Sequence, residues 1–249
     1  MRRNLIVNVM LSTALVCSCR VRGQHCVPPD TMKARLAADP SAETLNELGV
    51  WFAQRENYSC AAKAFATSLE ANSQQKDLPH VVFEFGAALY YSGDIASSIA
   101  ALQQAESLGY RDVNLHVLLA SGLDAQHSTG GAIEEWRKAL EFDPDAGLEV
   151  DGLSTDLVQS GKYQDAIELL MQPRVGPHRT EVQFMNLATA LVHLGRREDA
   201  AVALQDGMNT YPASAEIAHQ FALVLKSLHR DEEAAMVLRL FAEVQAHSQ

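Results

Sequence analysis

The sequence predicts an all-α chain in which helical hairpins stack into a solenoid, and three observations predict it. Small residues recur in pairs 12 apart, Gly49/Ala61, Gly86/Ser98, Ala120/Ala132, Ser154/Ala166, Ala188/Ala200 and Ala222/Ala234, and from the second pair onward they step along the chain by 34 residues. A large residue precedes each first small site (Leu48, Phe85, Leu119, Leu153, Leu187, Phe221), and another follows each second one by four positions (Phe65, Leu102, Trp136, Leu170, Leu204, Leu238). Between the two sites of a pair, Gly93, Gly161 and Gly195 share one place, which Glu56, His127 and His229 fill in the other units. A period of this length marks an array of supersecondary units. Two antiparallel helices approach closely only where a side chain shrinks to a hydrogen or a methyl, and the bulky neighbour then fills the groove beside the contact. A residue at the shared turn can adopt the left-handed conformation that ends the first helix.

Residues 1–23 place Arg2 and Arg3 before an apolar stretch from Leu5 to Cys17, interrupted by Asn8, Ser12 and Thr13. That stretch is short for crossing a bilayer and reads as a secretory signal segment, with Val21 and Gly23 as the small residues flanking a cleavage point. The run Val16-Cys17-Ser18-Cys19 resembles a bacterial lipobox, a second reading in which Cys19 becomes a lipid-anchored N-terminus. The mature chain is therefore expected outside the cytoplasm, periplasmic or secreted, or anchored in a cell envelope. Residues 24–41 form a leader in which Asp30 to Pro40 reads as one short helix, capped by Asp30 and closed by proline. Its role would be to cover the open flank of the first unit, since an end unit lacks one neighbour.

Six units follow, at 42–75, 79–112, 113–146, 147–180, 181–214 and 215–248, with Lys76 to Leu78 as a short insertion. Pro144 and Pro212 close units three and five, where proline cannot extend a helix. Pro173 lies inside the second helix of unit four, which should end or kink near Gln172. His116 and Ala218 stand where a large residue is expected early in the first helix. The last helix, from Asp231 to about Ala246, carries Leu238, Phe241 and Val244 with no further helix to cover them. End-to-end pairing with a second copy is one expectation there, and a frayed end shielded by Glu243 and Gln245 is the other.

At these residues the chain resembles the tetratricopeptide repeat (TPR) family, whose unit is a 34-residue helix-turn-helix with this small and large pattern. Six such units cover 204 of the 249 residues, and the runs EFDP (141–144) and NTYP (209–212) are unit ends. The resemblance implies a right-handed α-solenoid whose first helices line a concave groove, and a non-catalytic scaffold for a protein or peptide partner; it says little about which partner. On the groove side the helical period places Asn46, Val50, Phe83, Ala87, Tyr90, Val117, Ser121, Thr155, Met185, Thr189, His219 and Leu223. Family members that hold acidic chaperone tails use a clamp of Lys, Arg and Asn, whereas the comparable sites here offer Asn46 and, near the end, Lys226. An apolar or aromatic-containing segment is the expected partner, with Phe83, Tyr90 and Tyr91 as anchors. The other reading of these rings is packing between units one and two.

Charge and motif content exclude other classes. The chain carries −11, and the four arginines of residues 1–23, with no acid among them, leave −15 on the remainder. Phosphate backbones would be repelled, and no basic cluster exceeds the pair Arg196-Arg197, so nucleic acid is not an expected partner. After the signal no membrane segment follows. The nine histidines are scattered with no pair four apart, which gives no helical metal motif, and no G-x-S-x-G, GxxxxGK[ST] or GxGxxG run is present. Asp143 and Asp145 flank a unit boundary facing water, while Glu134-Glu135 and Glu232-Glu233 open second helices at the positive dipole end. No enzyme, metal or cofactor is expected. Of four cysteines, Cys17 and Cys19 lie in the signal; Cys26 and Cys60 could bridge in an oxidising compartment, or remain thiols with Cys60 as a small core residue.

Overall fold

The computed structural model describes residues 26–143 and 147–247. The signal segment with Cys17 and Cys19, and the unit-closing Pro144 with Asp145, lie outside the described residues. Helix α1 (Asp30–Ala38) precedes six hairpins: α2 (Ala42–Ala53) with α3 (Tyr58–Ala71), α4 (Leu78–Ser92) with α5 (Ile95–Ser107), α6 (Val113–Ala125) with α7 (Thr129–Phe142), α8 (Gly147–Gln159) with α9 (Tyr163–Leu170), α10 (Glu181–His193) with α11 (Arg197–Thr210), and α12 (Ala215–Ser227) with α13 (Asp231–His247). No strand occurs among the described residues. Helix α4 takes in Leu78, the last residue of the expected insertion, because proline at its second position starts a helix without losing a hydrogen bond.

The small/large seam closes each hairpin. All twelve small sites are buried. A methyl group added at Gly49 would stand 2.6 Å from Phe65 Cε1, and at Gly86 2.9 Å from Leu102 Cδ2, so each large residue rests on the backbone that the glycine leaves bare. In the second unit Ser98 adds a hydrogen bond, donating from Oγ to the Gly86 carbonyl at 2.8 Å. The turns take the same left-handed conformation in all six hairpins, with glycine and without: Gly93, Gly161 and Gly195 have φ of 91°, 74° and 77°, and Glu56, His127 and His229 adopt 57°, 58° and 62°. At the last three the array holds a side chain in a region that costs strain, which shows how strongly the hairpin geometry dictates the turn. Side-chain caps from Ser41, Asp94, Asp112, Thr180 and Ser214 open five helices, Thr180 with a reciprocal bond to Gln183.

Hairpins then stack, each second helix packing on the next first helix from α3 on α4 through α11 on α12. First helices also meet one another, α4 with α6, α8 with α10 and α10 with α12, whereas second helices make no comparable approach among the described residues. Rows that run closer together lie on the inside of a bend, so the first-helix face is the inner one.

At the N-terminal end, Met32 and Leu36 of α1 rest against the apolar cluster of unit one, and Arg35 pairs with Glu47. Asp30 is not the cap of this helix: Pro29 occupies the cap position without a side-chain bond, and Asp30 is the first helical residue, paired with Lys33 at 2.8 Å. Cys26 and Cys60 are joined by a disulfide with Cα atoms 5.4 Å apart, which ties the leader to α3.

Pro173 shortens α9 to eight residues, where the other second helices of units one to five have 13 or 14. Turns and a single 3-10 turn at Gly176–His178 follow, and Arg179 donates from Nη2 to the freed Leu170 carbonyl at 2.7 Å. At the far end Leu238 is half-buried against the core, and the large apolar side chains that α13 leaves exposed are Met236 and Leu240.

Two stability effects follow. Ala132 is fully buried at the α6/α7 seam, so Ala132→Leu should lower unfolding free energy by about 1–3 kcal/mol through overpacking; a urea titration reads it, and an unchanged midpoint would contradict the seam. Replacing Cys26 by Ser together with Cys60 by Ala should cost about 2–4 kcal/mol and speed amide exchange in α1, with equal exchange in parent and variant as the contrary result.

Candidate functional site

The inner face is built from α2, α4, α6, α8, α10 and α12, and its side chains divide into open ones and ones already used. Val50, Tyr91, His219 and Leu223 are exposed, Tyr91 to 57% and Leu223 to 65%. Ala87, Tyr90, Val117 and Met185 are half-buried and lean on the apolar clusters beneath. Asn46 is half-buried too: its Nδ2 donates to Gln75 Oε1 at 2.7 Å, while Oδ1 has no partner among the described residues. Phe83 is a correction. Only 8% of it is exposed, because Tyr110, from the connection into α6, stacks on its ring at 4.5 Å between centroids. It packs between units two and three and is not an open anchor.

Toward the C-terminal half the polar members of the face bind each other. Asn186 Nδ2 donates to Ser154 Oγ and Thr155 Oγ1, both at 2.9 Å, and Gln220 Nε2 donates to Thr189 Oγ1 at 2.9 Å. These bonds run from one first helix to the previous one and fix their spacing. Thr155 and Thr189 thus hold the array together.

The N-terminal half is aromatic. Tyr91 contacts Tyr58 at 5.0 Å and Tyr90 edge-on at 5.4 Å, and in α2 Trp51 meets Phe52 edge-on and carries the Arg55 guanidinium over its ring at 4.1 Å. Tyr58 and Trp51 are aromatic residues of this half, in two separate groups, that helical periodicity in the first helices does not select. A signal exists in the repeat itself. Tyr58 and Tyr91 occupy the same places in consecutive units as Tyr163 and His193, whose rings stack at 4.3 Å. Rings at the start of one second helix therefore meet rings at the end of the next first helix.

Two sets of buried polar groups flank the third hairpin, one toward the fourth and one toward the second. Asp156 of α8 is 4% exposed in a place where units two, three, five and six have Ala88, Gly122, Ala190 and Val224. Burial first, and the neighbouring Asp124 carboxylate second, push it up to about 7. Asp124 of α6 is raised by burial, against hydrogen bonds from Asp156 and Trp136, and Trp136 Nε1 donates to its Oδ2 at 3.4 Å. One proton shared between two carboxyls is the state this arrangement favours.

The second group joins three helices. His116 of α6, 3% exposed, has its Nδ1 2.8 Å from Glu135 Oε2 of α7. Lys138 Nζ donates to Glu135 Oε1 at 2.8 Å and to Glu106 Oε1 of α5 at 3.1 Å. Hydrogen bonding to Glu135 raises the Lys138 ammonium above its ordinary value. Glu135 is therefore half-enclosed in an ion network, where sequence reading assigned it to the helix dipole. Spacing rules within one helix cannot find a set of donors drawn from three.

No protein-family model matches the chain, and no curated protein does. Solved structures do. A tetratricopeptide repeat protein from Parabacteroides merdae superposes with a TM-score of 0.66 at 12% identity, over 80% of this chain and 78% of that one. YrrB, described as a TPR protein with an unusual peptide-binding site, gives 0.66 at 14% identity over 76% and 97%. MamA gives 0.61 at 15% identity over 70% and 94%. The fold is that of tetratricopeptide repeat proteins, an all-α solenoid.

Asp156 sets a pH dependence. Its folded value lies above the ordinary 3.8, so the folded chain keeps a proton that the unfolded chain releases; that stabilisation is complete below about pH 4 and is lost as pH rises to about 7. Asp156→Asn cannot ionise. Its melting temperature should match the parent's near pH 3.5 and exceed it at pH 8, while an equal difference at both pH values would contradict the shared proton.

Proposed function

We propose that this tetratricopeptide repeat fold serves as a non-catalytic scaffold that holds an apolar, aromatic-containing segment of a protein partner along its first-helix face. One observation carries the reading: on a face whose polar side chains are largely paired with one another, Tyr91, Val50 and Leu223 remain exposed. Uncompensated apolar surface on an otherwise acidic chain marks a contact site. Tyr90 and Tyr91 act as anchors in the N-terminal half, supported by Tyr58, because rings braced by other rings lose little entropy on binding. The unusual peptide-binding site ascribed to YrrB supports a peptide as the occupant. No helix among the described residues is long and apolar enough to cross a membrane.

The compartment we propose lies outside the cytoplasm. The Cys26–Cys60 disulfide supports it, since such bridges persist where the surroundings are oxidising. Release after Gly23 and anchoring through Cys19 remain two fates of the same exported chain, told apart by the intact mass of the mature protein.

Peptides selected from a displayed random library on the mature chain test the face. Their recurring anchors should be aromatic or aliphatic, and the double variant Tyr90→Ala, Tyr91→Ala should weaken them by about 2 kcal/mol or more, with Val202→Ala on the outer helix α11 leaving binding intact. Loss on α11 with none at the tyrosines would reverse the assignment.

A further inference from the structure

Unit three differs from its neighbours in one pair of core places. Where His116 stands, the other units have Leu45, Val82, Val150, Phe184 and Ala218; where Glu135 stands, they have Ala64, Ala101, Leu169, Ala203 and Val237. Both places face each other across the α6/α7 hairpin, as the 2.8 Å contact shows. An apolar pair would close this hairpin as it closes the others, so stability alone gives no reason for a buried imidazole and carboxylate, whose desolvation must be offset. A third acid, Glu106, arrives from unit two at a place where units one, three and five have Leu69, Leu140 and Met208. One donor atom from each of Glu106, His116 and Glu135 lies within 4.8 Å of the other two. These residues sit where two apolar clusters, one of α4 to α6 and one of α6 to α13, meet at α6.

We infer that Glu106, His116 and Glu135 bind one divalent transition-metal ion of the zinc class, which displaces the Lys138 ammonium from between the two carboxylates. The donor chemistry is one imidazole nitrogen and two carboxylate oxygens, a set that zinc accepts in four-coordinate geometry with water in the remaining place. Charge favours the exchange. With a neutral imidazole, as a ligand requires, two carboxylates against one ammonium leave a net negative charge in a largely enclosed place, and a divalent ion in place of the ammonium brings it to zero. Lys138 is partly exposed, so its ammonium has a route to water on release. Donors around zinc stand about 3.4 Å apart, and the side chain of Glu106, the most exposed of the three ligands, supplies the closing movement. A bound ion would cross-link α5 of unit two to α6 and α7 of unit three, and so set the angle between the two units on which the aromatic and C-terminal halves of the inner face depend.

Zinc titration of the tag-free mature chain, treated with chelator and dialysed, tests this by calorimetry, with far-ultraviolet circular dichroism to show that each variant is folded. The parent should bind one ion that raises its melting temperature. His116→Gln and Glu106→Gln should each weaken binding by about tenfold or more, and Lys138→Gln should strengthen it, because the competing ammonium is gone. Glu106 is only partly buried, so its variant reports on the site even if His116→Gln fails to fold. Absence of a one-to-one event, binding that Glu106→Gln leaves within twofold, or a Lys138→Gln chain that binds no tighter than the parent would each overturn the assignment.

Discussion

Close backbone approach at the small sites is the constraint from which the rest of the structure follows. Phe65 lies against Gly49 and Leu102 against Gly86 with no room for a methyl group, and each such contact sets the crossing of one hairpin. A hairpin so closed has one turn length, and that is why Glu56, His127 and His229 accept positive φ where glycine would do so without strain. Successive hairpins then share interfaces rather than a single centre, and stability is distributed along the array.

This distribution explains how polar groups enter the core without undoing it. Asp156 and the His116–Glu135 pair each replace apolar residues in one unit, while those units and the one before them keep Leu102, Leu119, Leu153 and Leu170 buried. A globular core of the same size would place such groups near its only centre. Here the cost falls on the two interfaces that flank unit three, and the inner face on either side is left unchanged. The aromatic cluster of units one and two and the hydrogen-bonded threonines of units four to six are thereby separate surfaces, the first open and the second spent on holding first helices together.

Sequence alone made the array legible because its requirement is local and recurs: a small residue every 34 positions, a turn residue between, a proline that stops α9 early. The face was legible only in part. Helical periodicity points Phe83 to the inner side, yet Tyr110 arrives from the connection to the next unit and covers it. The same limit hid Glu106, His116 and Glu135, which lie on three helices, and the Asp124–Asp156 pair, which lies on two. What could have revealed them is the column rather than the window. An acid or histidine at a place that is apolar in every neighbouring unit is a departure visible in the aligned repeats, as His116 was, and its partner is the residue that departs with it.

The first-helix face as the docking surface is the central claim, and hydrogen exchange of the mature chain with and without a selected peptide tests it most directly. Protection should appear in the C-terminal turns of α2 and α4, around Val50 to Ala53 and Tyr90 to Ser92, and extend along α6. Protection confined to the outer face, at the clefts beside the shortened α9 where Met171, Arg179 and Val202 line the surface, would contradict it.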